Sequence, residues 1–401
     1  MTDTAHRPCP LCGSNEATPL HPMRFTLPEN SPLPPGYTIV ACPHCGGVHA
    51  DTRASQVDYD RYYSDFSHYE DPGVATGGGD SELDATRIAD TAGRLLPHLF
   101  DKSARILDIG CARGGILKVL RQHGFVNLYG VDPSQVCVTH LQSAGIQASR
   151  GVLSDPDSLP DQEPFDVIIL SHVLEHLLDV STPLKRLHSR LAPRGLLYVE
   201  VPDASHYVDH PAVPFYYFDS EHINHFSRET LGVLARFHGF KVIAGGETDI
   251  ALPNQRSYPA AWALFEADAN AMPSLPAQPP PLAELVRAYI EQSRQAASYP
   301  ALEALAHERR PVLLWGAGSY AQRLLEDSPL RQCRIVAIVD QDSNKQGRQF
   351  AGTTISAPET GLSNLMPDTV IVVAAALHSE EICARIRSLG YMGEIVLPAA
   401  A

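Results

Sequence analysis

Arg105–Gly115 reads RILDIGCARGG, and the reading of this stretch decides the fold. Ile106–Ile109 has the apolar character of a short buried strand, with Asp108 near its carboxyl end. Gly110, Ala112 and Gly114 then predict a tight turn, and the run GILKVLRQHG from Gly115 opens a helix. Small residues let backbone N–H groups approach a ligand, and a helix N-terminus favours negative charge. The next strand, NLYGVDPS, ends at Asp132, about twenty residues on, where an acidic side chain meets ribose hydroxyls. Asp108 argues against a pyrophosphate in this turn, because a carboxylate there repels it. It suits a cationic amino-acid moiety instead.

Outward from that turn, residues 100–245 alternate strands and helices, the pattern of an α/β fold with a mostly parallel sheet. Ser81–Leu99 predicts an amphipathic helix leading into the first strand. PFDVIILSHVLEHLLD gives a buried strand ending at Ser171–His172, and ligands in open α/β sheets sit at such strand ends. In FYYFDSEHINHFSRETL, Ser227 is the expected N-cap of a helix, which leaves Glu221, His222 and His225 in the loop before it. Histidine moves protons near neutral pH, and an adjacent acid orients it and raises its basicity. A loop making purely structural hydrogen bonds is the alternative, most of all for His225.

The ends of the chain differ in character. Four of the eight cysteines form two C-x-x-C pairs, CPLCGS and CPHCGG, each followed by glycine. Cys9, Cys12, Cys42 and Cys45 are the inventory of a closed tetrahedral zinc site, with redox dithiols as the other reading. Residues 51–80 are rich in tyrosine and end in glycines, which suits a lid from which Tyr63 or Tyr69 could reach a ligand. Residues 251–310 read as a proline-rich linker followed by one helix through Leu282–His307. From 311, PVLLWGAGSYAQRLLE and RIVAIVD, ending at Asp340, repeat the strand, glycine turn, helix and acidic strand end of a second Rossmann-like half. Its length suits packing or substrate presentation better than an independent cofactor site. The domains expected are therefore 1–60, 61–250 and 311–401, joined by 251–310.

Composition narrows the partners. A net charge of −15 argues against nucleic acid. No stretch is apolar for long enough to span a bilayer, so a cytoplasmic protein is expected.

The arrangement D-x-G-x-A-x-G, strand, acidic strand end resembles class I S-adenosylmethionine (SAM) methyltransferases, with Ala112 where glycine is usual. The resemblance implies a cofactor site of Asp108, Gly110, Cys111, Gly114, Asp132, Pro133, Leu153, Ser171, His172 and Tyr69. The loop GVLSDPDSLP (Val152, Leu153, Asp155) would pack on the adenine. The whole order, two cysteine knuckles, DIGCARGG, E-H-x-x-H-F-S and a terminal Rossmann-like half, resembles three-domain sugar C-methyltransferases acting on nucleotide-linked ketosugars. That resemblance implies structural zinc, a base at His222 held by Glu221, and a further histidine at His176. It also implies a small-molecule substrate and neither a nucleic-acid nor a membrane partner. The oxyanion would be steadied by His225, His176, Tyr216 or Tyr217. One departure is Asp219, where the family pattern has tyrosine. Transfer to oxygen or nitrogen, and a non-catalytic module keeping the fold, stay open as alternatives.

Overall fold

The computed structural model describes residues 7–65, 81–160, 163–253, 255–268, 273–363 and 365–398. The chain divides into two compact units. The first holds residues up to Leu20, Ile39–His210 and Glu221–Val286; the second holds His21–Thr38, Pro211–Ser220 and Arg287 onward.

The first unit is built on a seven-stranded sheet. Edge to edge its strands are Phe240–Ala251, Ser257–Ala267, Leu191–Pro202, Phe165–Ser171, Arg105–Ile109, Asn127–Asp132 and Gln147–Arg150. The last five run parallel, and the first two join them antiparallel. Arg105–Ile109 lies near the middle because it can be buried on both faces: Ile106 and Leu107 have no exposed surface. Leu107 and Ile109 belong to one core cluster, while Ile106, Leu117, Leu120 and Leu141 belong to another.

Helix starts follow local chemistry. Ser81 caps Glu82–Leu95, accepting from Asp84 N at 3.2 Å, and Ser134 caps Gln135–Ser143, accepting from Cys137 N. Ser227 and Thr230 form a reciprocal capping box on Arg228–Phe237. The expected helix from Ser81 stops at Leu95 and continues as a single 3₁₀ turn over Leu96–His98, where Pro97 sits.

The stretch expected as a linker contains a strand of the central sheet instead. Ser257–Ala267 pairs on one side with Leu191–Pro202 and on the other with Phe240–Ala251. Its alanines hid it, since they lack the β-branched bulk that signals a strand. Here small side chains serve close packing: Ala260 and Ala261 are fully buried, and a Cβ on Gly246 would meet the Trp262 ring at 3.1 Å. The single helix expected through Leu282–His307 is two, Leu282–Ala296 and Pro300–Glu308, because Pro300 favours the first turn of a new helix.

The second unit has its own sheet, ordered Gln349–Phe350, Thr353–Ser356, Arg334–Val339, Pro311–Trp315, Val370–Val373 and Ile395–Val396. Its central pairs are parallel. Leu313, Trp315 and Val339 form one face of its core. Among the described residues no helix is long and apolar enough to cross a membrane.

Candidate active site

The turn after Arg105–Ile109 is shaped by backbone that only small residues tolerate well. Gly110, Ala112 and Gly114 have φ of 73°, 46° and 74°. A Cβ on Gly114 would meet Leu141 at 2.6 Å, and one on Gly110 would meet Val173 at 2.8 Å. The turn hangs on the neighbouring strand: Gly110 N donates to Val131 O at 2.8 Å, and Ala112 N to Asp132 Oδ2 at 2.8 Å. Ser134 N donates to the other Asp132 oxygen at 2.9 Å, across Pro133. Asp132 thus braces the turn while ending the strand at which ribose recognition is expected. Cys111 is buried, and Gly130 leaves it room, since a Cβ there would meet its sulfur at 2.8 Å.

Asp108 lies beneath this turn, 3% exposed. Burial, and secondarily the charge of Asp132, push its carboxyl pKa up to about 8. Because this pKa is raised above the unfolded value, ionising Asp108 costs the ligand-free protein stability as pH climbs from about 4 toward 8. A cation bound beside it reverses that cost and releases its proton. SAM affinity is therefore expected to rise between about pH 6 and 7.5, with proton release visible by calorimetry in buffers of different ionisation enthalpy. An Asp108→Asn variant should bind more weakly and show no such rise.

Ser171 and His172 end the adjacent strand, where the sequence placed them, but they serve a buried network that the sequence did not reveal. His172 Nδ1 lies 3.1 Å from Glu175 Oε1, and its Nε2 lies 3.5 Å from Glu200 Oε1. Burial alone would lower the His172 pKa, but its bonds to the two glutamates raise it to about 9. Glu200 has no exposed surface and takes Arg94 Nη1 at 2.6 Å, Tyr198 Oη at 2.7 Å and Ser171 Oγ at 3.3 Å. Burial raises the Glu200 pKa, but His172, Tyr198 and Arg94 outweigh it and bring it to about 2. Arg94 lies 106 positions from Glu200, and Ser171 lies 29 from it on the neighbouring strand, so no local motif announces the network.

A second cluster follows. Tyr62 Oη donates to Glu221 Oε1 at 3.0 Å, and Tyr63 Oη lies 2.8 Å from His176 Nδ1. His176 Nδ1 also lies 3.2 Å from the Glu221 carbonyl, and the His176 and His222 rings are 4.9 Å apart. Glu175, His176 and His222 bring one donor atom each within 4.8 Å of one another, a set able to share a proton or hold a cation. Glu175 is fully buried, and its Oε2 has no hydrogen-bond partner among the described residues. Burial raises its pKa, but the bond from His172 and the nearby histidines hold it below the usual carboxylate value. Its segment packs on the glycine turn, through Val173 against Gly110.

Other expected residues fall elsewhere. His225, expected among the catalytic candidates, is fully buried in the short strand Asn224–His225, paired with Val48–His49, with Nδ1 3.3 Å from Tyr207 Oη. We assign it a packing part, because an enclosed ring cannot meet an acceptor. Leu153 is likewise a core residue, clustered with Ile109 and Val131. Tyr217 belongs to the second unit, where it packs edge-on against Tyr289, and Tyr216 lies against that unit's core. Tyr69 lies outside the described residues.

The four cysteines converge. Cys9 and Cys45 sulfurs are 3.4 Å apart, those of Cys12 and Cys42 are 3.6 Å apart, and all four lie within 4.8 Å of one another. Zn–S bonds of about 2.3 Å in a tetrahedron separate sulfurs by about 3.8 Å, so this set fits zinc. Gly13 and Gly46, at φ of 74° and 73°, close the knuckles by donating to Cys9 O and Cys42 O. In the second unit the corresponding turn repeats the brace: Ala317 N donates to Asp340 Oδ2 at 2.9 Å. There the acid is already matched by Lys345 Nζ at 3.3 Å.

Residues 82–244 match the family model of a methyltransferase domain. Over these residues the chain carries a methyltransferase domain, built on the seven-stranded α/β sheet. Residues 308–397 match a second family model, described as C2185-like, N-terminal. Among curated proteins, the ubiquinone biosynthesis O-methyltransferase of Bradyrhizobium diazoefficiens is 34% identical over 101 residues, covering 24% of this chain and 38% of that protein. Its counterpart in Azorhizobium caulinodans is 32% identical over 102 residues, covering 24% and 40%. The chain thus spans about two fifths of the length of these relatives. Among solved structures, 1,6-didemethyltoxoflavin-N1-methyltransferase of Burkholderia thailandensis aligns at 18% identity and a TM-score of 0.41. The alignment covers 55% of this chain and 96% of that one.

Proposed function

We propose that this chain transfers the methyl group of SAM to a small-molecule acceptor, with a proton removed by His222 beside Glu221. The observation that carries the reading is the convergence of Glu175, His176 and His222, the first two on a segment that packs against the glycine turn through Val173. The sulfonium of SAM is already electrophilic, so the protein's task is to align a nucleophile in line with methyl and sulfur. Asp132 would take the ribose hydroxyls and Asp108 the cationic amino-acid end.

The acceptor we propose is a nucleotide-linked ketosugar, methylated at carbon. Proton removal alpha to the ketone would give an enolate, whose oxygen His176 steadies while carbon takes the methyl. The cysteine module with zinc would be structural, since four sulfurs leave no position for substrate. Transfer to oxygen is the second reading, favoured by the curated relatives named O-methyltransferases. One experiment separates them. Nucleotide-linked ketosugars are incubated with the protein in D₂O without SAM and read by mass spectrometry. Carbon methylation predicts deuterium uptake next to the carbonyl; methyl gain with SAM but no uptake without it supports oxygen.

A further inference from the structure

Arg7 stands two residues before Cys9, and its side chain is occupied by carbonyls distant in sequence. Nε donates to Leu178 O at 3.2 Å, and Nη1 to Ala50 O at 3.0 Å and Ile223 O at 3.3 Å. Nη2 reaches Leu177 O at 3.0 Å, Leu178 O at 2.6 Å and Asn224 Oδ1 at 2.8 Å. A guanidinium has five N–H bonds, so every one is engaged. Asn224 extends the clamp, donating through Nδ2 to Leu174 O and Leu177 O, both at 2.7 Å. Ile223 N closes it on Glu175 O at 2.9 Å.

The clamped acceptors flank the proposed chemistry. Leu174–Leu178 contains Glu175 and His176, and the segment from Glu221 to Asn224 contains His222. The first holds only a single 3₁₀ turn, Leu174–His176, and the second reaches a strand only at Asn224, so their remaining carbonyls need partners from elsewhere. Arg7 supplies them from the cysteine module: Pro8 alone separates it from Cys9, and Ala50 follows Cys45 by five residues. The glycine turn is braced separately, by Val131 and Asp132.

We propose that Arg7 is a positioning residue that ties the four-cysteine module to the two segments bearing His176 and His222. With the thiolates drawn together on a metal, the Cys9–Cys12 knuckle holds Arg7, and Arg7 sets the histidines for proton transfer. This rests on the reading of His222 given above. Loss of Arg7 then separates turnover from cofactor binding, which a general loss of folding does not.

The test uses full-length, metal-loaded Arg7→Ala and Arg7→Lys proteins. Displacing catalytic groups by about 1 Å can cost about 10²-fold, and Arg7→Ala should lose kcat on that scale. Its SAM affinity should stay within about threefold and its bound metal unchanged, while amides of 174–178 and 221–224 exchange faster by mass spectrometry. Added methylguanidine should restore part of kcat to Arg7→Ala. Arg7→Lys, with a point charge in place of a planar fork, should recover little. Chelation of the wild-type protein should reproduce the Arg7→Ala pattern. Wild-type kcat in Arg7→Ala, equal losses of SAM affinity and kcat, or unchanged exchange in both segments would overturn the proposal. If Arg7→Ala does not fold, the same readouts on Arg7→Lys decide it. Absence of methyl transfer by the wild type would instead refute the functional reading, leaving the exchange data to judge the clamp.

Discussion

A His222→Ala variant is expected to lose methyl transfer by about 10²–10⁴-fold, the usual contribution of a positioned acid–base group. Its SAM affinity should stay within a few-fold of wild type. The first expectation follows from where the ring sits. It lies 4.9 Å from His176, next to a glutamate held by Tyr62, and in a set whose donors converge with buried Glu175. The second follows from the bracing of the cofactor turn by Val131, Asp132 and the apolar contact with Leu141, none of which involves His222. The loss should fall mainly on kcat, because the proton moves on the way to the transition state. Turnover near wild type would show that the base lies elsewhere. A parallel collapse of SAM affinity would show that His222 serves the cofactor instead.

An Asp132→Ala variant should raise the SAM dissociation constant about 10- to 100-fold, the scale of losing hydrogen bonds to a charged group. Two effects add. The carboxylate offered to the ribose is gone, and so is the acceptor that holds Ala112 N and Ser134 N, leaving the turn less ordered. A third effect runs the other way: Asp132 helps push the Asp108 pKa up to about 8, so its removal makes Asp108 easier to ionise. The variant's remaining affinity should therefore depend on pH less than that of the wild type. Asp132→Asn, which keeps one acceptor oxygen, should fall between. An unchanged dissociation constant in Asp132→Ala, measured by calorimetry, would remove Asp132 from the cofactor site.

What could be read from the sequence was local. Asp108, Gly110 and Gly114 sit within seven residues, and their chemistry dictates strand, left-handed turn and helix whatever surrounds them. The caps at Ser81, Ser134 and Ser227 are equally short-range. The cysteine pairs announce themselves because four soft ligands in matched knuckles have few other uses.

What escaped depends on distant partners. Glu200 sits in what reads as an ordinary apolar strand, yet it anchors Arg94, Tyr198 and His172 once the sheet forms. In Ser257–Ala267 four alanines and Pro259 break up the bulky residues that would mark a strand, and its pairing partners lie in two other strands. His225 looked available beside Glu221 and His222, but two residues of ladder with Val48–His49 enclose it. Arg7 precedes a motif so distinctive that it reads as a flank; its partners lie up to 217 residues away.

The most direct measurement is a crystal structure with S-adenosylhomocysteine bound. The account predicts the ribose hydroxyls on Asp132, the amino-acid end beside Asp108, and the sulfur on the side of the turn facing His176 and His222. A nucleoside bound away from the Gly110–Gly114 turn, or His222 turned from the sulfur into solvent, would contradict it.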